Sequence, residues 1–78
     1  METVLLLLKT GEYILSQVET LDEEPACHLN QPCKIVNGVL EPWPQYTLDQ
    51  DVLLYTSFIA TILEPDPALV EKYKSLIE

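Results

Sequence analysis

Arginine is absent from this chain, and four lysines stand against thirteen acidic residues. The formal net charge of −9 would repel an RNA or duplex backbone over most of the surface. Arginine is also the residue best shaped for phosphate and base-edge recognition, so DNA and anionic membranes are excluded as partners and RNA is disfavoured. Glycine is nearly absent too, with only two residues. No P-loop or GxGxxG occurs, and there is no HExxH pair. Two cysteines, Cys27 and Cys33, are too few for a disulfide framework. On one extended strand their separation spans about 20 Å, well beyond the ~7 Å limit between bridged Cα atoms. A reducing, cytoplasmic setting follows. Long apolar runs are missing as well. Val4–Leu8 stops at Lys9, short of the ~20 residues a membrane span needs. Glu2 stands where a signal peptide carries positive charge.

What the chain does have is apolar surface. Hydrophobic residues make up 47% of 78 positions, enough for a single domain with some to spare. A domain of this size buries only about 60–65% of the surface of its unfolded chain. The surplus is expected against other copies, as a homo-oligomer, with the acidic surface keeping the assembly soluble.

The pattern along the chain is that of strands. Val4–Leu8 is a short apolar run closed by Thr10-Gly11, and Gly11 can take the positive φ a tight hairpin needs. Tyr13–Leu21 follows as a second strand, with Ile14, Ser16, Val18 and Thr20 on one face. Asp22-Glu23-Glu24-Pro25 reads as a charged turn. Ala26–Val36 reads as a third strand, with a bulge or an edge position at Pro32. Asn37-Gly38 is a strong hairpin signal. Val39–Tyr46 is expected as a fourth strand, kinked by the prolines on either side of Trp43. Val52–Tyr55 and Ile59–Leu63 are strands, or halves of one, parted near Thr56-Ser57. Asp66-Pro67 then opens a helix as N-cap and first residue, with Leu69, Val70, Tyr73, Leu76 and Ile77 as its apolar stripe. The sum is a mainly β, small, five-stranded, strongly bent antiparallel barrel of SH3-like size over about 2–64, with a short C-terminal α-helix over about 66–77.

Four segments, "LLKTGEYILSQV", "LNQPCKIV", the "PW" of the fourth strand and "FIATILEPDPALVEKY", resemble the Sm-like (LSm) small barrels. The likeness is closest to the small Sm-related proteins of marine cyanobacterial phages and marine metagenomes. It implies a bent five-stranded barrel that forms rings of about five to seven copies, the fourth strand of one subunit pairing with the fifth of the next. It also implies phage origin, and hence the host cytoplasm. In this group the helix follows the barrel, whereas typical Sm proteins carry it in front. RNA-binding Sm proteins carry an Asp-x-aromatic-or-Met-Asn loop and an Arg-Gly or Lys-Gly turn. Here the first position holds Asp22-Glu23-Glu24-Pro25, with Asn30 further along, and the second holds Tyr55-Thr56-Ser57 without a basic residue.

Catalytic, cofactor and metal sites are not expected. Cys27, His28 and Cys33 lack the fourth ligand and the spacing of a zinc site. Adjacent strand residues diverge, so Cys27 and His28 cannot act as a nucleophilic pair. The run Asp22–Glu24 reads as a solvated turn and not as a cation site. His28 is expected as a surface or interface residue. Trp43 and Tyr46 are the leading contact candidates, with the barrel mouth or a subunit interface favoured for Trp43 over an external ligand. Two readings result. One is a non-enzymatic Sm-like ring acting as a scaffold or protein-interaction module. The alternative is an RNA-binding ring using Lys9, Lys34, Tyr55 and the polar residues Asn30, Thr56 and Ser57, with symmetry multiplying a weak contact.

Overall fold

A computed structural model describes residues 2–20, 26–44 and 46–77, and the expectations for Leu21, for the turn Asp22-Glu23-Glu24-Pro25 and for Gln45 lie outside them. The first hairpin forms where the apolar run meets Lys9-Thr10-Gly11. β1 (Glu2–Leu8) and β2 (Tyr13–Thr20) pair antiparallel. Gly11 takes φ 93° between them, and its N–H donates to the Leu8 carbonyl at 2.9 Å. β3 (Ala26–Val36) pairs with β2 along its length. The second hairpin turns at Asn37 and Gly38, both left-handed with φ 51° and 78°, which is the geometry a two-residue hairpin loop requires. β4 (Val39–Pro42) returns from it along the second half of β3.

The bulge expected near Pro32 is present. Leu15 faces Cys33 and Gln17 faces Asn30, so the two residues Gln31 and Pro32 stand opposite the single Ser16. Gln31 absorbs the extra residue in the left-handed region, at φ 52°. The bulge also divides the outer edge of β3. Its N-terminal half pairs with β5 (Asp51–Tyr55) and its C-terminal half with β4.

A single 3₁₀ turn (Thr56–Phe58) separates β5 from β6 (Ile59–Leu63), and β6 pairs with β1. The Lys9 N–H donates to the Phe58 carbonyl at 2.8 Å, tying this corner to the end of β1. The sheet therefore has six strands rather than five, in the order β4-β3-β2-β1-β6 with β5 also on β3. The sixth strand comes from the last apolar run, which the sequence leaves open as two strands or two halves of one. The fourth strand ends at Pro42 rather than Tyr46, because Pro42 and Pro44 lack ladder donors. The last apolar run is two strands with different partners. Among the described residues the hydrogen-bonded ladder is not closed, and the 3₁₀ turn bridges β5 to β6.

Leu6, Leu8, Ile14, Cys27, Leu29 and Leu54 form the buried core, with Val18, Val52, Ile59 and Trp43 packed against it. Leu15 is also fully buried, although alternation turns it away from Ile14. The helix α1 (Pro67–Ile77) meets β2 through the Tyr73 hydroxyl, which accepts the Gln17 N–H. Its start is set by Asp66, whose carboxylate accepts the Ala68 N–H at 2.9 Å. Its anchor is Tyr73, the one buried residue of the helix.

Candidate interaction site

Three features of the fold could contact other molecules: the strand edges, a polar cluster on β3, and a groove beside α1. The edges come first because the ladder leaves them open. Among the described residues β5 pairs only with β3, and β6 only with β1. The side chains there are apolar and exposed: Leu53 is 60% exposed, Tyr55 57% and Ile62 55%, with Phe58 of the intervening turn at 55%. Neither strand contains proline or lysine, the usual means of blunting an edge, and their one charge, Asp51 at the start of β5, is engaged by Asn30. β4 differs. It is four residues long and carries Glu41 and Pro42, so its outer edge is poorly suited to further pairing.

His28 and Asn30 project together from β3, two residues apart and opposite Leu53 and Asp51 of β5. The His28 Nε2 lies 3.6 Å from Asp51 and the Nδ1 4.0 Å from Glu19. The Asn30 amide donates to the Asp51 carboxylate at 2.6 Å. Cys27 points the other way into the core, as adjacent strand positions must. Both cysteines are free thiols. No group of three or more His, Cys, Asp and Glu among the described residues could hold a metal ion.

The groove lies between α1, β4 and residues 43–44 and 47–50, with a volume of about 450 Å³. Pro32, Cys33, Leu40, Trp43, Leu76 and Ile77 give it apolar walls, and Glu41 and Asp49 bring carboxylates to its lining. The helix is fixed over this region by one hydroxyl. Tyr73 Oη donates to the Gln31 carbonyl at 2.7 Å, with the Asn30 carbonyl at 3.1 Å as a second acceptor, and accepts the Gln17 N–H at 3.2 Å. Ser16, buried opposite the bulge, donates to the Asn30 carbonyl at 3.1 Å and to its neighbour Gln17 at 2.9 Å. These two hydroxyls satisfy backbone groups that the bulge removes from the ladder. Burial pushes the Tyr73 phenol and the Cys33 thiol above their ordinary values.

The residues singled out in the sequence do not converge on one place. Lys9 is exposed beside the 3₁₀ corner that carries Thr56 and Ser57, with Tyr55 just before it. Lys34 is across the sheet, its ammonium 3.3 Å from Glu12. His28 and Asn30 sit among carboxylates. Trp43 is half-buried, packed on the core and lining the groove, whereas Tyr46 is fully exposed with φ 67°. The sequence reading missed the hydroxyls of Ser16 and Tyr73, the groove, and Leu48, which is 97% exposed. A serine on the Ile14–Val18 face and a tyrosine within a helical apolar stripe were the available signals. Among the described residues no helix is long and apolar enough to cross a membrane.

No curated protein matches the chain. A family of unknown function, DUF6561, matches over residues 1–78, and the chain belongs to that family.

Proposed function

We propose that this protein is a non-enzymatic, Sm-like subunit that assembles head to tail into a homo-oligomeric ring, and that the ring serves as a scaffold for protein partners. The β5 edge of one subunit would pair with the β6 edge of the next. The observation that carries this reading is the pair of unblunted edges at opposite ends of the sheet, each with exposed apolar side chains. Different surfaces meet in such a contact, so repeated addition closes a ring if the rotation per subunit allows it. The surplus of apolar residues in a small chain supports the same conclusion.

The RNA-binding ring stands second. Asn30 is engaged by Asp51, Lys34 is paired with Glu12, and His28 lies between two carboxylates. Lys9 is exposed beside the 3₁₀ corner, and this reading would rest on it. Native mass spectrometry of protein purified without nuclease separates the outcomes. A closed, nucleotide-free oligomer is expected. A monomer at micromolar concentration would overturn ring assembly. An oligomer carrying nucleotide mass, lost as salt rises, would place the RNA reading first.

A further inference from the structure

We infer that the groove beside α1 docks a segment of a partner protein in which a bulky apolar side chain stands next to lysine or arginine. This gives chemistry to the partner that the scaffold reading calls for. It rests on that reading only for the existence of a partner, since the groove is complete within one subunit.

The walls define the apolar part. Leu40 of β4, Leu76 of α1 and Trp43 converge on a volume of about 450 Å³, large enough for one or two bulky side chains. Leu76, at 60% exposure, is left uncovered there, and Leu48, at 97%, extends from the same rim. Tyr73 holds the α1 wall in place through three backbone groups of β2 and β3.

Charge selects the occupant. Glu41 and Asp49 are the charged residues of the lining, and Lys72 belongs to the adjoining hollow beyond Leu40 and Leu76. Among the described residues neither carboxylate has an ion-pair partner. Lys34 faces Glu41 in the β3–β4 register, but its ammonium goes to Glu12. A second copy of the chain is a poor occupant, because it offers only four basic residues. The unblunted edges for self-assembly lie on β5 and β6, neither of which lines the groove. RNA phosphates are repelled by the two carboxylates. An apolar segment flanked by cations meets both the walls and the carboxylates.

Trp43 is the single tryptophan of the chain and reports on the groove directly. The test is a titration of the intact protein, followed by Trp43 fluorescence, with the blocked heptapeptide Lys-Leu-Ser-Lys-Leu-Ser-Lys. Saturable binding is expected. It should weaken about three- to tenfold in the double variant Glu41→Gln/Asp49→Asn, and not in Glu64→Gln/Glu71→Gln, which removes the same charge outside the groove. Replacing the leucines by serine should abolish it. Equal binding of a glutamate-for-lysine peptide, equal loss in both double variants, or no saturable change would overturn the inference. So would a Trp43 that is already shielded from acrylamide in the free oligomer and becomes accessible on dilution to monomers, because another copy would then fill the groove. Native mass measured on the same samples shows separately whether the ring forms, so failure of the groove and failure of assembly are distinguishable.

Discussion

Tyr73 is the residue on which the placement of the helix turns. Its hydroxyl serves the Gln17 N–H and the carbonyls of Gln31 and Asn30 at the point where the bulge breaks the ladder. Tyr73→Phe keeps the ring and removes only those bonds. Leaving buried backbone groups unsatisfied should cost about 1–3 kcal/mol, read as a lower urea midpoint with an unchanged slope. Tyr13→Phe, at an exposed position, is the control and should leave the midpoint unmoved. The same neighbourhood predicts a response to alkali. The Cys33 thiol and the Tyr73 phenol are raised by burial above 9.0 and 10.0, their ordinary values. Above those values the unfolded chain has released protons that the folded chain still holds, so stability falls as pH rises. Urea midpoints at pH 8, 9.5 and 10.5 should decline, and less steeply in Cys33→Ser. An equal decline in that variant would show that Cys33 does not contribute.

At the scale of elements, α1 owes its start to Asp66. The carboxylate caps the Ala68 N–H, and the Asp66 carbonyl accepts from Leu69 and Val70, both at 3.0 Å. Asp66→Ala should lower stability by about 1 kcal/mol, with loss of helical signal at 222 nm before the sheet unfolds. Retention of full stability would mean that Tyr73 alone fixes the helix. This helix was legible in the sequence because its signals are local: an Asp-Pro start and an apolar stripe. Asn37-Gly38 and the bulge at Pro32 were legible for the same reason. Other features depended on partners far along the chain. Nothing in Val52–Leu63 alone says that β5 goes to β3 and β6 to β1, since both halves are equally apolar. Periodicity placed Tyr73 in the stripe, but its hydroxyl has a use only because the bulge presents free backbone groups beneath it. The groove was illegible because β4, α1 and residues 43–44 and 47–50 meet only in the folded chain.

For the whole molecule, the decisive question is whether copies join through unlike edges or like ones. Leu53 and Ile62 are both exposed in the subunit, so Leu53→Lys and Ile62→Lys should change subunit stability by no more than about 0.5 kcal/mol. Each places a charge on one edge and leaves the other intact. In a head-to-tail assembly, the Leu53→Lys protein keeps a good β6 edge but has no good β5 edge to receive it. The Ile62→Lys protein has the opposite defect. Each alone should therefore be monomeric. Mixed in equal amounts, the intact β6 of the first meets the intact β5 of the second once, and nothing can be added at either end. The mixture should give a one-to-one heterodimer by native mass spectrometry and no larger species. Pairing between like edges has a different signature. If β5 paired with β5, Ile62→Lys would dimerise by itself. If β6 paired with β6, Leu53→Lys would do so. Self-dimerisation of either variant would remove the basis for a ring, because a contact between like edges closes at two subunits.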